Sequence, residues 1–239
     1  MSLRVRIFLS FLLVQLASAV LILGWYFYSL QAELAALTRN NAQEAVLQSI
    51  DSTEDYFLPA ETLAEAGRYL LSAGLLGRDR PEQLERYFFE QLQSWPQIAG
   101  LYVGYPDGGF FYVMLSDEEA SGGTRTKIIE TRDDSRRVRL IWRDQDFEAV
   151  RSDEDPQDAY DPRSRSWYRD AIARGDSVWT DPYVFFTSRK PGITLAVPLS
   201  GVDGEPPAVF GVDIEISEIS GFLTRSSLGL RGTAFIATA

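Results

Sequence analysis

The residues whose types and spacing could do chemistry lie between positions 160 and 214. Tyr160-Asp161-Pro162-Arg163-Ser164-Arg165-Ser166-Trp167-Tyr168 is followed by Trp179-Thr180-Asp181-Pro182-Tyr183-Val184-Phe185-Phe186, then by Pro191-Gly192-Ile193-Thr194, then by Val209-Phe210-Gly211-Val212-Asp213-Ile214. Arg165 offers a planar fork of donors that fits a carboxylate. Tyr160, Tyr168 and Tyr183 carry hydroxyls on apolar bodies. Asp213 ends an otherwise apolar strand, so burial would oblige it to find a cation or donors, and a ligand ammonium would serve. An Arg at one end, an Asp at the other and aromatic walls between them match a zwitterionic α-amino acid, in a site that is largely apolar with a few aimed polar groups. The same residues also admit a purely structural reading, with Arg165 salt-bridged to Asp161 or Asp213 inside a core.

The chain has no His and no Cys. A Ser-His-Asp triad, a cysteine nucleophile, a His/Cys zinc site and a disulfide framework are therefore excluded. A net charge of -11 argues against nucleic acid, whose phosphates need a basic face. A carboxylate-based hydrolase remains conceivable, because Asp153, Glu154, Asp155, Asp158 and Asp161 could furnish the pair that glycoside hydrolysis uses. That acidic stretch reads more simply as a solvated segment. No catalytic residue, no metal site and no cofactor is expected.

The elements that must position the candidate residues begin at a membrane. Between Arg6 and Glu33 there is no charged residue. The apolar run from Ile7 to Tyr28, at about 1.5 Å per residue, is long enough to cross a hydrocarbon core of about 30 Å. Arg4 and Arg6 place the N-terminus in the cytoplasm, and Trp25, Tyr26, Phe27 and Tyr28 form an interfacial aromatic belt at the far end. Ala17-Ser18-Ala19 resembles a signal-peptide cleavage site, but the apolar run continues beyond it through Val20-Leu21-Ile22-Leu23. The reading is a plasma (inner) membrane anchor over 7–29, a cytoplasmic stretch over 1–6, and everything beyond it periplasmic or extracellular.

Helical periodicity continues through Leu30, Leu34 and Leu37 to about Asp55. Pro59 should kink or restart the helix. A helix over Glu61–Ser72 ends at Gly74 and Gly77, and another starts at Pro81 and runs to about Ser94, with Leu84, Phe88 and Leu92 as its core face. This long-helix and helical region covers 30–95. Its apolar seam suits a homodimer interface, although it is not a clean heptad, and a purely structural dimerising stalk is an alternative function. From Pro96 the texture is strand-like: 98–105 and 110–115 around Pro106-Asp107-Gly108-Gly109, 124–131 and 136–142, then 178–180, 183–186, 192–199 and 208–214. Residues 144–159 read as a loop, and 217–228 as a helix capped by Ser217. Short connections make the sheet antiparallel. The fold class is α+β, with a sensing module over 96–228 and the start of a second module, including a strand at 233–238, over 229–239.

The combined D-P-R-x-R-x-W-Y, W-x-x-P-Y and G-V-D-I pattern resembles that of bacterial double Cache (dCache) extracytoplasmic sensor domains over residues 30–239. The resemblance implies a PAS-like membrane-distal module that binds a small molecule, in many members an amino acid. It implies that Tyr160, Arg165 and Trp167 hold a carboxylate, and that Tyr168, Tyr183 and Asp213 hold an amine. Two positions depart from the pattern: Phe185 stands where amino-acid binders often carry an acidic residue, and Ser166 where a Pro is usual. The run from Pro182 to Thr194 is also similar to sensors joined to class III adenylate or guanylate cyclases; chemoreceptor, kinase and diguanylate cyclase outputs stay open.

Overall fold

The computed structural model describes residues 3–116, 123–132, 135–200 and 207–225. The chain divides into two compact units, Met1–Ser52 and Thr53–Ala239. In the first, Phe11–Ser29 is long and apolar enough to cross a membrane, and its side chains there are almost all exposed, as lipid-facing residues would be.

The second unit carries the sheet. Helix α1 is assigned over Leu3–Ser72 with Pro59 inside it, so the break expected at Pro59 is absent. Proline removes one backbone donor and crowds the preceding turn, and burial of the flanking turn compensates: Ala60, Leu63 and Ala64 are buried in the core. Helix α2 spans Pro81–Ser94. Pro at its first position is pre-set for helix and lacks a donor that would go unused there. Its stripe Leu84, Phe88 and Leu92 is fully buried, as the periodicity predicts.

Among the described residues nine strands form one antiparallel sheet: β1 Gly100–Gly104, β2 Phe110–Leu115, β3 Thr124–Arg132, β4 Ser135–Arg143, β5 Ala149–Glu154, β6 Val178–Trp179, β7 Tyr183–Val184, β8 Pro191–Pro198 and β9 Val209–Glu215. Their order is β5-β4-β3-β2-β1-β9-β8-β6, with β7 also on β8. Strand β5 corrects the reading of 144–159 as a loop. It is an edge strand, exposed and charged, and such edges lack the apolar alternation that announces a strand. Helix α3, Ser166–Arg174, ends on Gly175 in the left-handed conformation. Helix α4 covers Ile216–Arg225. Ser217 is therefore inside its first turn rather than its cap, and donates to the Glu215 carboxylate at 3.2 Å. The strand expected at 233–238 and the second module at 229–239 lie outside the described residues.

Alternation along the strands gives the sheet two faces. Leu101, Val103, Phe111, Val113, Leu195, Val197, Phe210 and Val212 join the α1 and α2 residues in one core. Tyr102, Phe110, Tyr112, Ala196 and Val209 face the other way and pack with Tyr160, Trp167, Tyr168 and Ala171. The candidate residues belong to this second layer. A buried clasp ties α2 to the sheet: Glu85 accepts from Arg143 Nε and Nη2, both at 2.7 Å, and from Thr126 Oγ1 at 2.6 Å.

Candidate functional site

Three central strands supply the polar floor of the site. Asp213 stands opposite Gly100 of β1 and Thr194 of β8. Two residues back on β9, Gly211 shares its face and stands opposite Tyr102. A Cβ at Gly211 would come within 2.1 Å of the Tyr102 ring, so only glycine lets that ring lie flat across β9. From there the Tyr102 hydroxyl donates to Asp213 Oδ1 at 2.9 Å, and Thr194 Oγ1 donates to the same oxygen at 2.6 Å. Tyr183 and Thr194 hydroxyls lie 2.7 Å apart. Because Thr194 has one proton and commits it to Asp213, Tyr183 must be the donor in that pair.

Asp213 is 3% exposed, and among the described residues no Lys or Arg pairs with it. Burial pushes its carboxyl up to about 7, against the hydrogen bonds from Thr194 and Tyr102 that favour the ionised form. Burial, and next the Asp213 charge, also push the Tyr102 and Tyr183 hydroxyls up, so both stay protonated and remain donors.

The opposite wall is built by the segment leading into α3. Asp161 accepts from the Arg163 backbone N–H and side chain, closing a 3-10 turn over Pro162–Ser164. Arg165 follows in extended conformation as the residue before α3. Its guanidinium lies 5.9 Å from the ring centres of both Tyr160 and Phe186. The salt bridge to Asp161 or Asp213 that the sequence allowed does not form: Asp161 is held by Arg163, and Asp213 by hydroxyls. Among the described residues Arg165 has no carboxylate partner. Trp167, 1% exposed, packs on Tyr102 at 4.8 Å between ring centres.

Five of the six sequence candidates thus line one cavity: Tyr160, Arg165, Trp167, Tyr183 and Asp213. Tyr168 does not. Its hydroxyl instead donates to the Pro207 carbonyl at 3.2 Å. Sequence reasoning missed Tyr102, Tyr112 and Phe110, whose period-two spacing on β1 and β2 was the available signal. It also missed Thr194, although the stretch containing it was singled out. Phe185 and Phe186 also line the cavity. The Phe185 ring occupies the space a Cβ at Gly192 would need, at 2.1 Å. The free space left is about 20 Å³, room for about one water.

Behind the Tyr160 ring sits a buried cation. The Lys127 ammonium lies 4.7 Å from that ring centre and 5.4 Å from that of Phe186. It pairs with Asp158, which Arg136 also contacts. Burial lowers the Lys127 pKa, and the Asp158 hydrogen bond opposes that shift. The carboxylates considered for hydrolysis are engaged elsewhere: Asp153 with Arg151, Glu154 with Arg137, Asp161 with Arg163, and Asp155 with the Gln157 backbone N–H.

Residues 110–221 match the family model of the methyl-accepting chemotaxis protein-like first PDC sensor domain. Adenylate cyclase 1 of Rhizobium meliloti is 29% identical over 157 residues, 62% of this chain and 23% of that protein. Methyl-accepting chemotaxis protein McpB of Bacillus subtilis is 40% identical over 82 residues, 34% of this chain and 12% of that protein. The chain therefore spans less than a quarter of either relative. Among solved structures, the ligand-binding domain of the Campylobacter jejuni chemoreceptor Tlp3, in complex with L-valine, superposes with a TM-score of 0.52 at 15% identity, over 77% of this chain and 62% of that one. The same domain with 4-methylisoleucine gives 0.53 at 14% identity, over 79% and 62%. The fold is thus the Cache-type fold that the sequence pattern resembles, and over residues 110–221 the chain matches a sensor-domain model rather than a catalytic one.

Proposed function

We propose that this sensor domain binds a small carboxylate-bearing amine, an amino acid in the first place, in the cavity between α3 and strands β1, β8 and β9. Arg165, with Tyr160 and Trp167, takes the carboxylate. Asp213, with Tyr183, takes the ammonium, while Tyr168 supports α3 from outside the cavity. The single observation that carries this reading is the pair of unmatched charges across one aromatic cavity: an Arg with no carboxylate and a buried Asp with no cation. A zwitterion satisfies both. The L-valine complex of the Campylobacter jejuni relative supports the same class of ligand.

The rest of the receptor follows as part of the same proposal. Residues 7–29 anchor the chain with its N-terminus in the cytoplasm and the sensor outside. Two copies associate through the long helix, and ligand binding shifts a two-state equilibrium that reaches a cytoplasmic output domain. The cyclase and chemotaxis relatives support a cyclase or a chemoreceptor output.

The test is a thermal-shift screen of the full chain in detergent against amino acids, small amines and small carboxylates. A ligand at 100 times its Kd stabilises the fold by about 2.7 kcal/mol. The shift should vanish in Arg165→Ala and in Asp213→Asn, each checked for a cooperative melt. A wild-type chain that melts cooperatively and responds to nothing in the panel overturns the reading.

A further inference from the structure

More positive charge lies around the cavity than a neutral amino acid requires, although Arg165 is the one cation in its lining among the described residues. Phe186, which lines it, has three cations near its ring: Arg189 at 4.9 Å, Lys127 at 5.4 Å and Arg165 at 5.9 Å from the ring centre. Asp158 neutralises Lys127 but is shared with Arg136. Arg165 and Arg189 have no carboxylate partner among the described residues. Among the described residues, Asp213 is the one carboxylate that lines the cavity, and the chain as a whole is at -11. A cluster of cations in so acidic a protein calls for a negatively charged counterpart.

Arg189 reaches this position through an unusual backbone. The six residues between β7 and β8 form a hairpin closed by Phe185 N–H to the Lys190 carbonyl at 2.9 Å and Arg189 N–H to the Phe185 carbonyl at 3.0 Å. Arg189 sits there at φ +60°, a left-handed conformation that glycine or asparagine would fill with less strain. Its neighbour Lys190 is bound to Glu215 at 3.3 Å, leaving Arg189 as the hairpin's free cation. The same hairpin carries Phe185 and Phe186 into the cavity, where they leave space for little more than a water. A ligand must therefore displace Phe185 and Phe186, which this hairpin carries together with Arg189.

Resting on the amino-acid-site reading above, we infer that the site selects ligands with two carboxylates, Arg165 taking one and Arg189 on the β7–β8 hairpin taking the other. With an amine at Asp213 the ligand is an acidic amino acid; without one it is a dicarboxylate of similar length. Phe186, within 6 Å of both guanidiniums, is a stacking surface that the two share.

The experiment is calorimetric titration of the full chain in detergent with L-glutamate, L-aspartate, glutarate, succinate, L-glutamine and L-valine. L-glutamate or L-aspartate should bind about ten-fold or more tightly than L-glutamine, the worth of one charged hydrogen-bonded contact. Arg189→Gln should bring the acidic ligands down to about the level of L-glutamine and cost them far more than it costs L-glutamine, whereas Arg165→Ala should weaken every ligand. Comparison of glutamate with glutarate tells an acidic amino acid from a plain dicarboxylate. Equal or tighter binding of L-glutamine or L-valine, or an acidic preference that survives in Arg189→Gln, overturns this inference and leaves the amino-acid site standing. Binding by none of the six overturns both.

Discussion

Thr194 faces Asp213 directly across the β8–β9 register and donates its hydroxyl to the Asp213 carboxylate at 2.6 Å. The carboxylate this hydroxyl serves is buried, lacks a cation and is pushed up to about 7. Its proton is therefore exchangeable near neutral pH, with opposite consequences for folding and for binding. The folded state holds the Asp213 proton up to about pH 7, whereas the unfolded chain releases it near the usual value of 3.8. Asp213 thus favours the fold below that lower value. Its contribution falls as pH rises through this window and is an unfavourable constant above it, on the order of 4 kcal/mol. Asp213→Asn should remove this slope and raise the melting temperature at pH 8, as followed by thermal melts from pH 4 to 9.

A ligand ammonium binds the ionised form. Affinity for an amine-bearing ligand should therefore be flat above about pH 7 and fall by up to about ten-fold per unit below it. Titrations at pH 5.5, 6.5, 7.5 and 8.5 test this. Thr194→Val removes a donor to the carboxylate and should move the midpoint to higher pH. A ligand that needs no amine would show no such loss on acidification.

Gly211 sets the Tyr102 ring over the site, and this makes a small substitution informative. A methyl group there would meet the ring at 2.1 Å, so Gly211→Ala must drive Tyr102 off Asp213 Oδ1. The expected cost is about 1–3 kcal/mol in overpacking, with loss of ligand binding at temperatures where the chain is still folded. Tyr102→Phe, which keeps the ring and deletes only the hydroxyl, should bind with reduced affinity and melt nearly as the wild type does.

The elements that position the site were largely legible because they are periodic. The α2 stripe at Leu84, Phe88 and Leu92 and the β1–β2 hairpin around Pro106-Asp107-Gly108-Gly109 carry helical and strand patterns with plain stop signals. Strand β5 was not legible, because an exposed edge strand such as Ala149–Glu154 has no apolar face to alternate. Pro59 misled because propensity is local, whereas burial of Ala60, Leu63 and Ala64 is tertiary. Within the site, Arg165 and Asp213 could be read from residue type. That Tyr168 turns away to Pro207 while Tyr102 turns in depends on which residues share a face of α3 and of the sheet, and on a glycine two residues before Asp213. No single stretch of sequence shows that combination.

The buried Lys127–Asp158 pair makes an asymmetric prediction. The Lys127 side chain is 3% exposed and that of Asp158 10%. Replacing Lys127 by Met puts an apolar chain of similar length against Tyr160 and Phe186, and leaves Asp158 with Arg136 and the Tyr160 backbone N–H at 2.8 Å. That change should be close to neutral for stability. Asp158→Ala instead leaves a buried ammonium without its counterion and frees the Tyr160 backbone N–H, at a cost of about 3 kcal/mol or more. Denaturant unfolding of the two variants should rank Asp158→Ala well below Lys127→Met.

The small volume of the cavity gives the last prediction. Phe185 is 4% exposed, stacks edge-on against Tyr183 at 5.2 Å and fills the space above Gly192. Truncation to Ala deletes a buried ring and should destabilise the unliganded chain by about 3–5 kcal/mol. It also removes what a ligand must displace, so the fraction of molecules already open should rise and apparent affinity with it. Phe185→Ala should therefore melt at a lower temperature than the wild type without ligand, yet gain more from saturating ligand and associate with it faster in stopped-flow tryptophan fluorescence. A variant that is destabilised but binds no faster would mean that the Phe185 ring packs the hairpin without gating the site.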